Sequence, residues 1–225
     1  TCDALAWSPD GKSLALVGPY LDPTVTASTP SYLYKEPQIM IVDASTGRTI
    51  VTHYSASIYP SNYSVLAWSP NGRYVASYTG SVDVWDALSA QQVSSYNNNG
   101  SDPYNNNGSV FIAPALAWSP DGRRIASSLG PEVRISYALS GKQVLTYKGH
   151  TQTVRAIAWS PDGRHMATGG DDDTVQIWNV TNGLLLSTYR QHTDSILALA
   201  WSPNGGFIAS GAGSADGTVR IWIAK

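Results

Sequence analysis

One short motif recurs five times in this chain of 225 residues, and it constrains the fold more than any other feature. Each copy reads apolar-Ala-Trp-Ser-Pro, then Asp or Asn, then Gly; the copies lie at residues 5–11, 66–72, 116–122, 157–163 and 199–205. Successive tryptophans of the motif are 61, 50, 41 and 42 residues apart. A unit of about 41 residues, lengthened in places by insertions, is typical of a repeat protein whose units each hold four short strands.

Each copy of the motif predicts a tight β-hairpin. The apolar-Ala-Trp segment ends a first strand, and Ser-Pro-Asp-Gly provides a turn because Pro sets φ while Gly accepts a positive φ. A second apolar strand follows directly. The first strand is apolar on both faces, for example at Ala156–Trp159, so we expect it to be buried between neighbouring sheets. A third strand follows in every unit, and a fourth follows in the first four units.

These strands predict an all-β fold, a β-propeller of four-stranded antiparallel blades. Five repeat units are visible, and the last lacks its fourth strand, so we expect the array to be part of a larger ring. We name the four strands of a unit a, b, c and d. The predicted units span about 1–56, 57–98, 99–148, 149–190 and 191–225, within a single propeller domain or propeller fragment.

Composition and charge exclude several classes of protein. The formal net charge is −2 and the sequence has no basic stripe, which argues against nucleic acid as a partner. No apolar run reaches membrane-spanning length, so no membrane insertion is expected. No signal peptide is visible, and we expect a cytoplasmic location. The single cysteine, Cys2, excludes an internal disulfide, and no pattern predicts a cofactor.

Residues 149–179 resemble a unit of the WD-repeat (WD40) family. They contain Gly149-His150, the hairpin, an Asp-rich turn and Trp178-Asn179 in place of the usual Trp-Asp pair. The following unit repeats this order, and a Trp-Asp pair lies at residues 85–86. The Trp-Ser-Pro-Asp-Gly hairpins are also similar to those of bacterial WD-repeat proteins and of TolB-type propellers.

The resemblance implies a set of structural side chains. In WD-repeat proteins a His, a Ser or Thr, an Asp and a Trp form a hydrogen-bonded tetrad within a blade. Matched by position, the two tetrads are His150, Thr168, Asp172 and Trp178, then His192, Ser210, Asp216 and Trp222. The same residue types occur in Ser-His-Asp triads. An active site normally occurs once, however, and this set recurs at repeat spacing, so we expect no catalytic residue.

The acidic run at residues 171–173 has a competing interpretation as a metal site. Carboxylates are ligands for Ca²⁺, but the loop spacing and the distal Glu of an EF-hand are absent. The run is therefore predicted to be a turn between strands b and c, and no metal is expected.

Three insertions, at about residues 18–36, 55–64 and 97–114, carry the functional prediction. All three lie in d–a or b–c connections, which emerge on the same face of an antiparallel blade. Tyrosine with Asn, Ser and Gly is the composition of adaptable recognition surfaces. The predicted partner-binding residues are Tyr20, Tyr32, Tyr34, Tyr59, Tyr63 and Tyr104. The alternative is that these loops are solvated and bind nothing.

The resemblance implies a non-enzymatic scaffold for protein–protein interaction, and the insertions place a protein or peptide partner on the d–a/b–c face. The alternative function is a TolB-like or peptidase-associated propeller that acts as a gating or periplasmic partner module. Unpaired strand edges and an apolar end face also predict self-association through the open ends of the propeller.

Overall fold

The computed structural model describes residues 4–19, 37–54, 65–78, 81–89, 91–96 and 115–224. In these ranges the regular elements are nineteen β-strands, and no helix occurs. The first eight strands are β1 (Ala4–Trp7), β2 (Ser13–Pro19), β3 (Pro37–Asp43), β4 (Thr49–Tyr54), β5 (Val65–Trp68), β6 (Tyr74–Tyr78), β7 (Val82–Asp86) and β8 (Gln92–Tyr96). The other eleven are β9 (Leu116–Trp118), β10 (Arg124–Leu129), β11 (Glu132–Tyr137), β12 (Gln143–Tyr147), β13 (Val154–Trp159), β14 (His165–Gly170), β15 (Val175–Asn179), β16 (Leu185–Tyr189), β17 (Ile196–Trp201), β18 (Phe207–Ala212) and β19 (Val219–Ile223).

The strands form five antiparallel sheets. Within each sheet, strands that follow one another in the sequence lie side by side. Sheets one to four contain β1–β4, β5–β8, β9–β12 and β13–β16, and sheet five contains β17, β18 and β19. The chain divides into two compact units: residues 1–112 contain sheets one and two, and residues 113–225 contain sheets three to five. The prediction of four-stranded antiparallel sheets with a three-stranded last sheet is therefore confirmed.

The repeated motif forms the turn between strands a and b of its sheet. In sheet four, Asp162 Oδ1 accepts the Ser160 hydroxyl and, at 3.0 Å, the backbone N–H of Arg164. Ser160 Oγ accepts the N–H of His165 at 2.9 Å. Gly163 has φ +67°, a conformation that favours glycine. These contacts explain why the motif keeps Ser, Asp or Asn, and Gly at fixed positions.

The apolar cores lie between successive sheets. In the first unit, Ile39 and Ile41 of β3 pack with Val75 and Trp85 of sheet two. In the second unit, one cluster joins sheets three and four and another joins sheets four and five; Ala167 and Ile177 of sheet four contact Ile208 and Trp222 of sheet five. Strand a is buried or half-buried in sheets two, three and four. The expectation of burial is wrong for β1 and β17, where Leu5, Trp7 and Leu197 are more than half exposed, because no described sheet covers that side of them.

The motif tryptophan has a second role that the sequence reasoning did not anticipate. Its indole N–H donates a hydrogen bond to a backbone carbonyl in strand a of the preceding sheet. The described pairs are Trp68 to Ala6 (2.9 Å), Trp159 to Ala117 (3.2 Å) and Trp201 to Ala158 (3.0 Å). In sheets two, four and five the motif therefore fixes its own hairpin and also joins that hairpin to the sheet before it.

Candidate functional site

The six tyrosines predicted to bind a partner lie outside the described residues. They are Tyr20, Tyr32, Tyr34, Tyr59, Tyr63 and Tyr104. On the same face of the blades, the structure describes the shorter connections of sheets four and five. The predicted tetrad side chains are located in and beside these connections.

Sheet four brings its four predicted tetrad residues into one chain of hydrogen bonds. Trp178 of β15 donates its indole N–H to Thr168 Oγ1 of β14 at 3.2 Å. Thr168 Oγ1 lies 2.8 Å from Nε2 of His150, which precedes β13. His150 Nδ1 lies 2.9 Å from Asp172 Oδ2, in the turn between β14 and β15. Two connections and two strands are thus linked through buried polar groups, which need such partners.

A neutral imidazole satisfies all of these bonds. Nδ1–H of His150 donates to Asp172, and Nε2 accepts the hydroxyl of Thr168, which in turn accepts the indole N–H. Burial lowers the pKa of His150 and outweighs the opposing effect of the Asp172 carboxylate. Burial alone would raise the pKa of Asp172, but His150 and hydrogen bonds from Thr174 and Thr151 hold it below its ordinary value.

Sheet five repeats the arrangement one unit later. Trp222 donates its indole N–H to Ser210 Oγ at 2.8 Å, and Ser210 Oγ lies 2.7 Å from His192 Nε2. His192 Nδ1 lies 3.3 Å from Asp216 Oδ2. The hydroxyl of Thr218 donates to Asp216, and this bond is the largest of the effects that lower the pKa of Asp216. The same four roles are therefore filled in two successive sheets.

The hydroxyl, imidazole and carboxylate lie in the same order as in a Ser-His-Asp triad, which raises the question of whether the hydroxyl can act as a nucleophile. A nucleophilic hydroxyl must reach a substrate carbonyl. Ser210 is buried, the His192 ring is enclosed, and the indole of Trp222 occupies an acceptor position of the hydroxyl. Thr168 is enclosed in the same way in sheet four. The arrangement connects strands and turns, and its hydroxyls and imidazoles are buried.

The acidic run at residues 171–173 sends its carboxylates to different partners. Asp171 pairs with Arg155 through two contacts of 2.7 Å, and Asp172 belongs to the tetrad. Asp173 has φ +58°, the left-handed conformation of a tight turn. Within the described part of the chain, no group of three or more His, Cys, Asp or Glu side chains is placed to hold a metal ion.

Aromatic pairs between sheets are a feature that the sequence reasoning missed. Tyr147, at the end of strand d of sheet three, stacks on Trp178 of sheet four, with ring centroids 4.4 Å apart. Its hydroxyl donates to Gln176 Oε1 at 2.6 Å. Tyr189 stacks on Trp222 of the next sheet at 4.5 Å. A signal was present, since the predicted strands d end in tyrosine, but the pattern does not say what the ring touches.

Sheet two retains part of the tetrad. Trp85 donates its indole N–H to Ser77 Oγ at 3.1 Å, as the tetrad tryptophans do. The ring beside Trp85 is His53, tilted by 53° with ring centroids 5.1 Å apart, in the place that Tyr147 and Tyr189 take beside Trp178 and Trp222. Sheet two therefore keeps the tryptophan and the serine of the tetrad.

The comparisons follow the same repeats. The family model described as "WD domain, G-beta repeat" matches residues 47–86, 141–179 and 183–222, more than half of the chain. Each match begins at the glycine before a strand d and ends with strand c of the next sheet. No curated protein matches the sequence. Among the described residues, no helix is long and apolar enough to cross a membrane.

A solved structure supports the architecture. One chain in the crystal structure of a mitotic checkpoint complex is similar to 98% of this chain, with a TM-score of 0.75 and 21% identity. At this identity the similarity concerns the fold alone. The match spans 59% of that chain's length. The three family matches and the five antiparallel sheets agree, and the chain belongs to the WD40 family, folding as part of a β-propeller.

Proposed function

We propose that this chain is a non-enzymatic scaffold that binds a protein or peptide partner on the face where the d–a and b–c connections emerge. A WD40 propeller fold fits a protein-interaction scaffold. The observation that carries the choice of face is an asymmetry between connections. Every described a–b and c–d turn is short and closed by local hydrogen bonds, whereas all three insertions lie in d–a or b–c connections.

The tetrads support the same face. His150 lies in a d–a connection and Asp172 in a b–c turn, so their contact at 2.9 Å ties neighbouring connections to each other. His192 and Asp216 do this in sheet five. Binding residues on loops need a rigid base. We assign the tetrads this structural role and place the binding residues in the insertions, at the six tyrosines.

Two alternatives are less well supported. An enzyme would need a reachable nucleophile or base, and the hydroxyls and imidazoles that lie together here are enclosed. A TolB-like gating module would share the hairpins, which do not distinguish the two families. The three stretches that match the WD-repeat family favour the scaffold.

The test uses peptides selected from a phage-displayed library on the immobilised chain. Replacing Tyr32 and Tyr34 with Ser should weaken the selected peptide at least about 30-fold, since anchor residues contribute about 2 kcal/mol or more. Replacing Arg123 and Arg164, which are exposed on a–b turns of the other face, should change affinity little. Calorimetry measures the dissociation constant of the peptide for the wild type and for both double variants. If the arginine pair abolishes binding and the tyrosine pair does not, the face is assigned wrongly.

We also propose self-association through the two ends of the array. Leu5 and Trp7 of sheet one and Val219, Ile221 and Ile223 of sheet five are large apolar side chains exposed to solvent. Contiguous apolar surface of this kind favours association.

A further inference from the structure

Thr193 lies in the connection between β16 and β17, one residue after the tetrad histidine of sheet five. Its side chain is exposed, and so are those of Arg190 and Gln191 just before it. The backbone N–H of Thr193 donates to Asp216 Oδ2 at 2.8 Å, and its hydroxyl donates to the same oxygen at 3.3 Å. An exposed hydroxyl therefore lies directly against the carboxylate of the tetrad.

The preceding connection, between β12 and β13, has the same arrangement. Thr151 follows the tetrad histidine of sheet four, and its N–H donates to Asp172 Oδ2 at 3.1 Å. Thr151 and Lys148 are exposed although sheet four has four strands and a sheet on each side. The exposure of Thr193 and Arg190 therefore follows from their position in the repeat and not from the number of strands in sheet five.

Each of these threonines has a basic residue three positions earlier in the sequence. It is Lys148 for Thr151 and Arg190 for Thr193. One class of Ser/Thr protein kinases binds a basic side chain at this position of its substrate through carboxylates. Arginine suits such a site better than lysine, because its guanidinium forms two parallel hydrogen bonds with a carboxylate. The repeated order of cation, histidine and threonine is thus a candidate for phosphorylation.

Two observations select Thr193 among the described candidates. Ser127 is the third described Ser or Thr with Lys or Arg at this distance, and it is buried within β10. The cation before Thr151 is already engaged, since Lys148 Nζ lies 2.7 Å from Glu132 Oε1. Thr193 is the described hydroxyl that is both exposed and preceded by an arginine at this distance.

We propose that Thr193 is a phosphorylation site of a kinase that recognises arginine three residues before its substrate hydroxyl, and that the phosphate loosens the link between the d–a connection and the b–c turn of sheet five. In the transfer, Thr193 Oγ1 bonds to the γ-phosphorus of ATP as the bond to the β–γ bridging oxygen breaks. ADP leaves, and the hydroxyl proton passes to the catalytic carboxylate of the kinase. The site does not depend on what the insertions bind, so it goes beyond the proposed function.

Repulsion between like charges is the reason for the loosening. A phosphothreonine carries a charge of about −1.5 to −2 at neutral pH. Here it lies beside Asp216 and next to Asp194, whose carboxylate accepts two backbone N–H groups. Hydrogen bonds from Thr218 and Thr193 hold the pKa of Asp216 below its ordinary value, so this carboxylate is charged. We therefore expect the phosphate to weaken the bonds that join Asp216 to Thr193 and His192.

The first part of the test measures the modification. The 225-residue chain is incubated with ATP and a purified kinase of this class, and mass spectrometry locates the phosphates. Thr193 should be modified first, and Thr193→Val should remove this phosphate. Arg190→Gln should slow the modification at least about tenfold, because the kinase loses a charged contact. The matched variant Arg164→Gln, at an exposed arginine on an a–b turn, should leave the rate unchanged. A peptide of residues 186–197 shows whether the kinase accepts the sequence.

The second part measures the loosening by hydrogen exchange. The amides of Thr193 and Thr218 donate to Asp216 at 2.8 and 3.0 Å. Both should exchange at least about tenfold faster in the phosphorylated chain, and treatment with a phosphatase should restore the original rates. The amides of Thr151 and Thr174, which donate to Asp172 in sheet four, are the matched control and should not change.

Several results would overturn the proposal. Modification of the peptide but not of the folded chain would show that the hydroxyl is not reachable, and modification of neither would show that the sequence is not recognised. Faster modification of Thr151 than of Thr193, or a rate that Arg190→Gln leaves unchanged, would contradict the role of the arginine. Unchanged exchange at Thr193 and Thr218 would contradict the loosening. Tyr32→Ser with Tyr34→Ser should alter neither readout, which keeps this test separate from that of the proposed function.

Discussion

At the scale of single residues, His150 shows how much depends on one protonation state. Its neutral ring donates from Nδ1 to Asp172 and accepts at Nε2 from Thr168. A protonated ring would donate at both nitrogens. The Thr168 hydroxyl would then receive a second donor besides the indole of Trp178, and its own proton would have only the carbonyl of Gln176, at 3.5 Å, to donate to.

We therefore expect stability to fall with acidity near neutral pH. Because burial lowers the pKa of His150 in the folded protein, the unfolded chain binds this proton first as pH falls below about 6.5. The stabilisation is complete above that pH and is lost as pH falls toward the folded pKa, with a slope of at most about 1.4 kcal/mol per pH unit. Urea unfolding between pH 7 and pH 5 measures the slope. His150→Gln should reduce it, and His165→Gln should not.

Removal of the ring should lower stability without acting on a ligand at the insertions. His150→Ala leaves Thr168 and Asp172 without their shared partner, so the free energy of unfolding should fall by about 1–3 kcal/mol. Denaturant titration measures this loss, with His165→Ala as the control. A variant as stable as the wild type that has lost an enzymatic activity would contradict the structural role of the tetrad.

At the scale of elements, the repeat of the sequence and the sheet of the structure are out of phase by one strand. Each family match begins at the glycine before strand d of one sheet and ends with strand c of the next. One repeat thus contributes to two sheets. The tryptophan of strand a strengthens this connection, since Trp159 donates its indole N–H to Ala117 of the preceding sheet at 3.2 Å.

The tryptophan bond between sheets predicts unequal effects of one substitution. Trp159→Phe removes the indole N–H and leaves a small cavity, so it should lower the free energy of unfolding by about 1–3 kcal/mol. Trp7 occupies the same position in sheet one, yet it is 57% exposed, and Trp7→Phe should change stability by less than about 0.5 kcal/mol. Urea unfolding of both variants provides the comparison. Equal losses would show that the substitution acts through the hairpin alone.

At the scale of the whole molecule, the same positions are covered in one sheet and exposed in another. Val175 and Ile177 of β15 are 0% and 1% exposed, and Ile177 packs against sheet five. Val219 and Ile221 of β19 occupy the matching positions and are 75% and 73% exposed. The repeated chemistry thus continues to sheet five, but no described residue covers its last face.

We expect copies of the chain to associate through this face, and we expect a single charge introduced there to prevent the association. Ile221→Glu places a carboxylate at the centre of the face and should shift the sedimentation coefficient at micromolar concentration toward that of the monomer. Leu88→Glu is the matched control because Leu88, in a c–d turn, is 82% exposed and lies outside the face. A wild-type chain that stays monomeric at all concentrations would contradict the proposal of self-association.

The structure does not change several of the functional predictions. The roles of the six tyrosines, the unit boundaries, the cytoplasmic location and the bacterial type of the repeats remain predictions. The two tetrads could be selected from the resemblance because family position specifies them residue by residue. The stacking of Tyr147 on Trp178 could not, since a tyrosine at the end of a strand does not show which neighbouring ring it contacts.

The sequence by itself determined the five hairpins and the all-β class, because Ser, Pro, Asp or Asn, and Gly act on the few backbone angles next to them. Only the tertiary structure decided that Trp159 donates to Ala117 and that Tyr147 stacks on Trp178. These contacts join different sheets across tens of residues. They depend on how sheets pack on each other, which no local pattern of residues encodes.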